Sequence, residues 1–325
     1  MTNNILVTGG TGFLGSALSS KLVDLGYKVT VIDNNSRGSI GKIEHILNKV
    51  NYIEGDIRNK KDVKNAFKDC DTIFHLSFVN GTKFFYEKPE LVLEVGIKGA
   101  LNTLECSIEA GIDTYIMASS SEIYNQPTKV PTDETERAII TDIKNPRFSY
   151  AGGKLISEIL TINYLKNTNI RNLIFRPHNI FGPDMGFEHV IPDLLKKIFI
   201  ASNGWHSKKC TIQIQGTGNE TRAFCYVTDA VDQLICLMEN GQKEEIYNIG
   251  MQKERTIKDL VEDISNYLDI EININASKAL SGSTSRRCPD ISKIKTIGYN
   301  VNDNYYNGLE KTISWYKKYY SKTAS

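Results

Sequence analysis

The stretch NILVTGGTGFLGSAL, residues 4–18, decides the fold. A short apolar, β-branched run passes through a glycine turn directly into a helical pattern. Its glycines, Gly9, Gly12 and Gly15, are spaced GxxGxxG. Gly9 permits a tight turn, Gly12 lets backbone approach a pyrophosphate, and Gly15 lets the helix pack close to the strand. The helix start then offers free N–H groups and a partial positive charge to an anion. Asp33 ends the next apolar run, KVTVID (28–33), 18 residues after Gly15. A carboxylate there accepts from both ribose hydroxyls and repels a 2′-phosphate, so the expected dinucleotide is NAD. Arg37 is the one neighbouring group that could accommodate that phosphate instead. Asp56 and Ile57, after a third run, either cover the adenine or, for Asp56, cap a helix.

Working outward, VNYIEG (50–55), DTIFHL (71–76), DTYIMAS (113–119) and RNLIFRP (171–177) are further short runs, apolar on both faces. Helical patterns near 12–25, 58–69, 88–110 and 150–167 separate them. Such alternation predicts an α/β fold: a Rossmann-type, doubly wound parallel sheet. Residues 1–180 form the expected NAD-binding domain, and 181–325 a smaller substrate lobe. That lobe would hold helices near 189–202, 229–240, 256–268 and 304–320 and a β pair within TIQIQGTGNETRAFCYV (211–227). EIYNIG (245–250) can rejoin the first sheet, so segments around 225–250 interleave the two lobes.

Composition narrows the function class. The chain has 325 residues, 40% hydrophobic and 24% charged, enough for a sizeable core. A net charge of +1 gives no reason to expect a nucleic-acid or membrane partner. No apolar run approaches a membrane span and no signal peptide is legible, so a cytoplasmic protein is expected. The six cysteines lack CxxC spacing and read as reduced, buried thiols; the five histidines show no metal-ligand spacing, so no metal is expected.

The chemistry is concentrated in SSSEIYN (119–125) and YAGGK (150–154). Tyr150 and Lys154 lie four apart on a predicted helix and share a face. An ammonium beside a phenol favours phenolate, a general base near neutral pH. Ser120, at the carboxyl end of a strand, can share a hydrogen bond to the substrate oxygen. Glu122 has three readings: an acid or base at the substrate, a carboxylate orienting Tyr150 or Ser120, or a charge at the pocket rim. Tyr124 reads as packing, and His178 and His189 as either substrate contacts or core and surface groups.

With TGGTGFLG (8–15), GDI (55–57), HLS (75–77), SSSEIY (119–124), YAGGK (150–154), RPHNIFGP (176–183), RAFCYVTD (222–229) and RRCPDISK (286–293) in order, the chain resembles extended short-chain dehydrogenases/reductases. Its likeness is to the NAD-dependent epimerase/dehydratase type, which remodels nucleotide diphosphate sugars. The resemblance implies that Tyr150 takes the sugar hydroxyl proton, Lys154 holds the nicotinamide ribose and lowers the tyrosine's pKa, and Ser120 bonds the reacting oxygen. It places Phe13, Leu14, Leu76, Ser77 and the Pro177 backbone at the cofactor, and Ser121, Asn179, Arg222 and Arg287 at the substrate. For the two arginines a surface ion pair is the plainer reading. A homodimer through the helices near 88–110 and 150–167 is also implied by the resemblance alone.

Within that type a 4-epimerase needs little beyond tyrosine, lysine and a roomy pocket, and this is the expected activity. A 4,6-dehydratase usually reads Thr-Asp-Glu at the strand end, but position 121 is serine. Ser120-Ser121-Glu122, Gly153-Lys154 and Arg287-Cys288-Pro289-Asp290-Ile291 resemble UDP-glucuronate decarboxylases locally, which makes decarboxylation or dehydration through Glu122 the alternative. Against it, Asp184 stands where an arginine is frequent, and Glu188 and His189 enter the presumed substrate loop. Gly96 and Asn125 also depart from the family pattern, which usually has asparagine and glycine there. A non-catalytic NAD-binding protein is the remaining reading, disfavoured by the presence of both Tyr150 and Lys154.

Overall fold

The computed structural model describes residues 4–278 and 284–323. Six parallel strands come first: β1 (Asn4–Thr8), β2 (Lys28–Asp33), β3 (Val50–Glu54), β4 (Thr72–His75), β5 (Thr114–Ala118) and β6 (Arg171–Pro177). The second half adds β7 (Ile180–Phe181), β8 (Lys209–Gln215), β9 (Thr221–Ala223), β10 (Cys225–Tyr226), β11 (Glu245–Ile249), β12 (Glu254–Thr256), β13 (Glu271–Ser277) and β14 (Arg286–Arg287). One seven-stranded sheet results, in the order β11-β6-β5-β4-β1-β2-β3. EIYNI therefore does rejoin the first sheet, parallel to β6.

Side-chain alternation explains why the central strands are apolar throughout, whereas the edge strand β3, expected to be apolar on both faces, has no fully buried residue and exposes Asn51 and Glu54. Ile5 and Val7 pack into one core with Val31, Ile116 and Phe175, while Leu6 faces a second core with Ile32, Ile73 and Met117. Both faces are covered by helices, so both must exclude water. The helices Phe13–Asp24 and Val227–Asn240 belong with the first core, and Lys60–Ala66 and Gly99–Ala110 with the second. In β8 the rule differs: Cys210, Ile212 and Ile214 are buried while their neighbours are exposed, the mark of a strand covered on one face.

Two expectations are corrected. The halves of 211–227 do not pair with each other: β8 joins β13 in parallel, and β9 lies between β12 and β14. The separating loop forms its own turn, with Glu220 accepting from the N–H groups of Thr217 and Gly218. The pattern near 88–110 is one helix only in outline. It runs Pro89–Leu93, widens into a π turn over Glu94–Lys98, and continues as Gly99–Ala110. Such widening accommodates a group pressed against the helix, and here Gly96 lies inside it. Among the described residues no helix is long and apolar enough to cross a membrane.

Candidate active site

At the carboxyl end of β1 the glycine loop closes on itself. Gly9 has φ +71°, and a Cβ there would lie 3.0 Å from the Ser77 nitrogen. A Cβ on Gly15 would come within 2.1 Å of the Gly9 carbonyl oxygen, so only glycine lets the helix start this close to the strand. Gly12 is the N-cap of the helix that begins with Phe13 and Leu14, and no side chain caps that end. Its uncapped N–H groups face where an anion would bind, which fits a pyrophosphate. Thr8 Oγ1 accepts from the N–H groups of Leu76 and Ser77, at 3.1 and 3.2 Å, joining β4's end to the same loop.

Asp33 sits at the tip of β2, accepting from Thr11 N at 3.1 Å and Asn35 N at 2.9 Å. Arg37 leans away, its guanidinium 4.5 Å over the Phe84 ring and 4.0 Å from Glu188. The group that could have accommodated a 2′-phosphate is thus engaged elsewhere, in keeping with NAD. Asp56 caps no helix, since Asn59 does so for Lys60–Ala66. Instead its carboxylate accepts from Arg58, which holds its pKa down to about 2. Ile57 is buried against Gly99.

Ser120 follows β5 and caps a short turn, Ser121–Tyr124, by accepting from Glu122 N at 3.1 Å. Its hydroxyl also lies beside the Tyr150 phenol and favours the charged form. Ser121 is buried at the start of the turn. Tyr150 and Lys154 stand on the helix Phe148–Leu165 and are 7% and 3% exposed. Burial pushes the phenol up to about 12; Ser120 opposes this and the Glu122 charge adds to it. Burial likewise pulls Lys154 down to about 7. Its ammonium donates to the Ala118 carbonyl at 2.6 Å and lies 4.1 Å from the Phe78 ring centroid. The expected lowering of the phenol's pKa by the lysine is therefore absent from this structure: desolvation dominates both groups.

Glu122 looks the other way, into a cleft of about 510 Å³ lined by Arg147, Asn179, Phe187, Glu188, Arg222 and Arg287 among others. It accepts a hydrogen bond from Arg287 Nη1, and Arg147 Nη2 lies 3.7 Å away. Burial works against its charge, but Arg287, then Arg147 and Arg222, outweigh it and hold the carboxyl below its ordinary range. Arg287 is thus in a cleft ion pair, not a surface one. Arg222 forms no ion pair among the described residues; it donates to the carbonyls of Thr221 at 2.7 Å and Thr284 at 2.9 Å. Burial and the neighbouring Arg287 lower it to about 10. Asn179 lines the cleft with φ +42° and donates to Ala223 O, and Pro177 ends β6 beside Ile249.

Behind the cleft lies a buried polar network. Arg176 makes a paired contact with Glu158 at 2.9 and 2.8 Å and donates to the Tyr124 hydroxyl, which bonds Asn248, as does His178. Tyr124 and His178 are hence internal, whereas His189 lines the cleft. Sequence reading passed over Arg147, three residues before Tyr150, and the aromatic rings Phe78 and Phe85. A basic residue entering a tyrosine-bearing helix, and the density of rings in FVNGTKFF (78–85), were the only signals.

Comparison with known proteins accords with this geometry. The family model described as NAD dependent epimerase/dehydratase family matches residues 5–250. A UDP-N-acetyl-alpha-D-glucosaminuronate decarboxylase of Bacillus cytotoxicus is 29% identical, covering 98% of this chain and 99% of that one. A UDP-N-acetylglucosamine 4-epimerase from Methanobrevibacter ruminantium, solved with UDP-N-acetylmuramic acid, superimposes with TM-score 0.87 at 26% identity over 98% of this chain and all of that one. A UDP-glucuronic acid 4-epimerase from Bacillus cereus, solved with UDP-glucuronic acid and NAD, gives 0.85 at 25% identity over the same shares. With the glycine loop, the Ser120–Tyr150–Lys154 group and a model match over most of its length, this chain belongs to the NAD-dependent epimerase/dehydratase family of nucleotide-sugar enzymes.

Proposed function

We propose that the protein is a nucleotide-sugar 4-epimerase. The observation that carries this is the division of labour around Glu122. Ser120 stands beside Tyr150 at one end of the site, while Glu122 is an ionised carboxylate tied to Arg287 and Arg147. A dehydratase needs a base and also an acid holding its proton near neutral pH; Glu122, held ionised, could be only the base, and Ser121 stands where the acid would be. Epimerisation needs no such acid.

The glycine loop, Asp33, Leu76, Ser77 and Pro177 would hold NAD. Bound NAD supplies reversible hydride acceptance at the carbon bearing the sugar hydroxyl. Tyr150 takes that hydroxyl's proton and Ser120 holds the same oxygen. Lys154, its ammonium 5.9 Å from the Tyr150 ring, would favour the phenolate with its charge once the site is filled. Arg222 and Arg287, with Asn179, hold the diphosphate, which a guanidinium fork matches in paired oxygens.

Three guanidinium groups around one carboxylate favour a second reading. Arg147, Arg222 and Arg287 could receive a sugar carboxylate, as a decarboxylase would require, and the Bacillus cytotoxicus relative is such an enzyme by name. Incubation with UDP-hexoses, their N-acetylated forms and UDP-glucuronate separates the two. The expected product is a stereoisomer alone; release of carbon dioxide with formation of a UDP-pentose overturns the epimerase reading.

A further inference from the structure

Lys154 is a buried cation without a counter-ion. Among the described residues it forms no ion pair, and its one hydrogen bond goes to Ala118 O. Glu158, one turn along the same helix, raises the lysine's pKa by its charge but is itself paired with Arg176. The other titratable groups around the ammonium offer little compensation. His75 is buried, bonded to Thr8 Oγ1 at 3.0 Å, and held neutral; Tyr150 is a protonated phenol; Glu122 is turned to its arginines. What does cover the ammonium is aromatic: the Phe78 face at 4.1 Å and, more distantly, the Tyr150 ring at 5.9 Å.

The Phe78 ring is locked in place. It meets the Tyr150 ring edge-on at a centroid distance of 5.3 Å, and Phe85 stacks on Tyr150 at 5.0 Å. Two glycines on two helices form the notch that receives it. A Cβ on Gly96 would fall 2.3 Å from Phe78 Cζ, and one on Gly153 would fall 3.0 Å from the same atom. Gly96 lies within the π turn, where the backbone is already widened. Space, ring orientation and cation are thus matched from three separate segments of the chain.

We infer that Phe78 is a positioning residue that acts through Lys154, its ring, seated against Gly96 and Gly153, supplying the nearest electrostatic partner of this buried ammonium. An aromatic face attracts a desolvated cation more strongly than a solvated one, since no water competes for it. The ring therefore helps the lysine retain its proton near neutral pH and keeps it on the Tyr150 side of the helix.

The test is a lysine-selective 15Nζ NMR titration of the protein, with the Lys154 signal identified by its loss in Lys154→Met. It needs no turnover, so it stands apart from the choice of sugar reaction. Trifluorophenylalanine in place of Phe78 keeps the ring's shape and removes most of its negative face. It should lower the lysine's titration midpoint by about 0.4 to 1.5 units, the span from an exposed to a desolvated cation–π contact. Phe78→Tyr should restore the wild-type midpoint, and Gly96→Ala, which evicts the ring, should lower it as the fluorinated ring does. An unmoved midpoint with the fluorinated ring overturns the proposal, as does a Phe78→Leu protein that titrates like wild type.

Discussion

The two ends of the site use the chain in different ways. At the cofactor end, binding rests on backbone: Gly9 and Gly15 close a loop that no side chain could enter, and the helix start after Gly12 is left uncapped. At the substrate end, binding rests on side chains from remote segments: Glu122, Arg147, Arg222 and Arg287 meet across the cleft. Backbone geometry is set by neighbouring residues and tolerates no substitution. A charge cluster is set by the fold and tolerates change wherever compensation is at hand. The two ends should therefore fail differently when altered.

The largest effect belongs where the two ends meet. Tyr150→Phe should lower turnover by about 10²- to 10⁴-fold, the span of general acid–base catalysis, and leave NADH fluorescence binding intact. Gly15→Val should weaken dinucleotide binding by about 100-fold or prevent folding, since the backbone oxygen it meets cannot retreat. Calorimetric titration with NAD would read the loss, and a near-wild-type affinity would break the contrast drawn between the two ends.

Smaller effects are expected in the cleft. Arg287→Met leaves Glu122 with only the weaker attractions of Arg147 and Arg222 and should cost about 1–3 kcal/mol in urea unfolding; Arg287→Met with Glu122→Gln should recover most of that loss. The pH dependence of stability sharpens the point. The folded pKa of Glu122 lies below its ordinary 4.5, so its stabilising effect is complete above that value and fades as pH falls through the folded one. Glu122→Gln should flatten this part of the acid limb. Lys154 has the opposite history: burial lowers it from 10.5 to about 7, so the cost of burying its charge is greatest below 7 and shrinks as pH rises toward 10.5. Lys154→Met should raise the melting temperature by a few degrees at pH 6, with the gain vanishing by about pH 10.5.

The fold was legible because its instructions are local. Residues 4–18 carry strand, turn and helix in one segment, and the later central strands announce themselves by being apolar on both faces. The same locality exposed Ser120, Glu122, Tyr150 and Lys154, which lie in two short motifs. It failed for 211–227, where β8 found a partner some 60 residues away in β13; one-sided strands pair with whatever covers their polar edge, and nothing within the segment names that partner.

What the amino-acid order settled by itself is a parallel sheet, a glycine loop for a pyrophosphate, and a tyrosine and lysine on one helical face, because each follows from residues close together in the chain. Only the tertiary structure could decide that Glu122 is tied to Arg287 and Arg147, that Arg37 turns toward Phe84 and Glu188, and that Phe78 fills the notch at Gly96 over the lysine ammonium. Charge state and desolvation depend on what lies within a few ångströms, and those neighbours come from opposite ends of the chain.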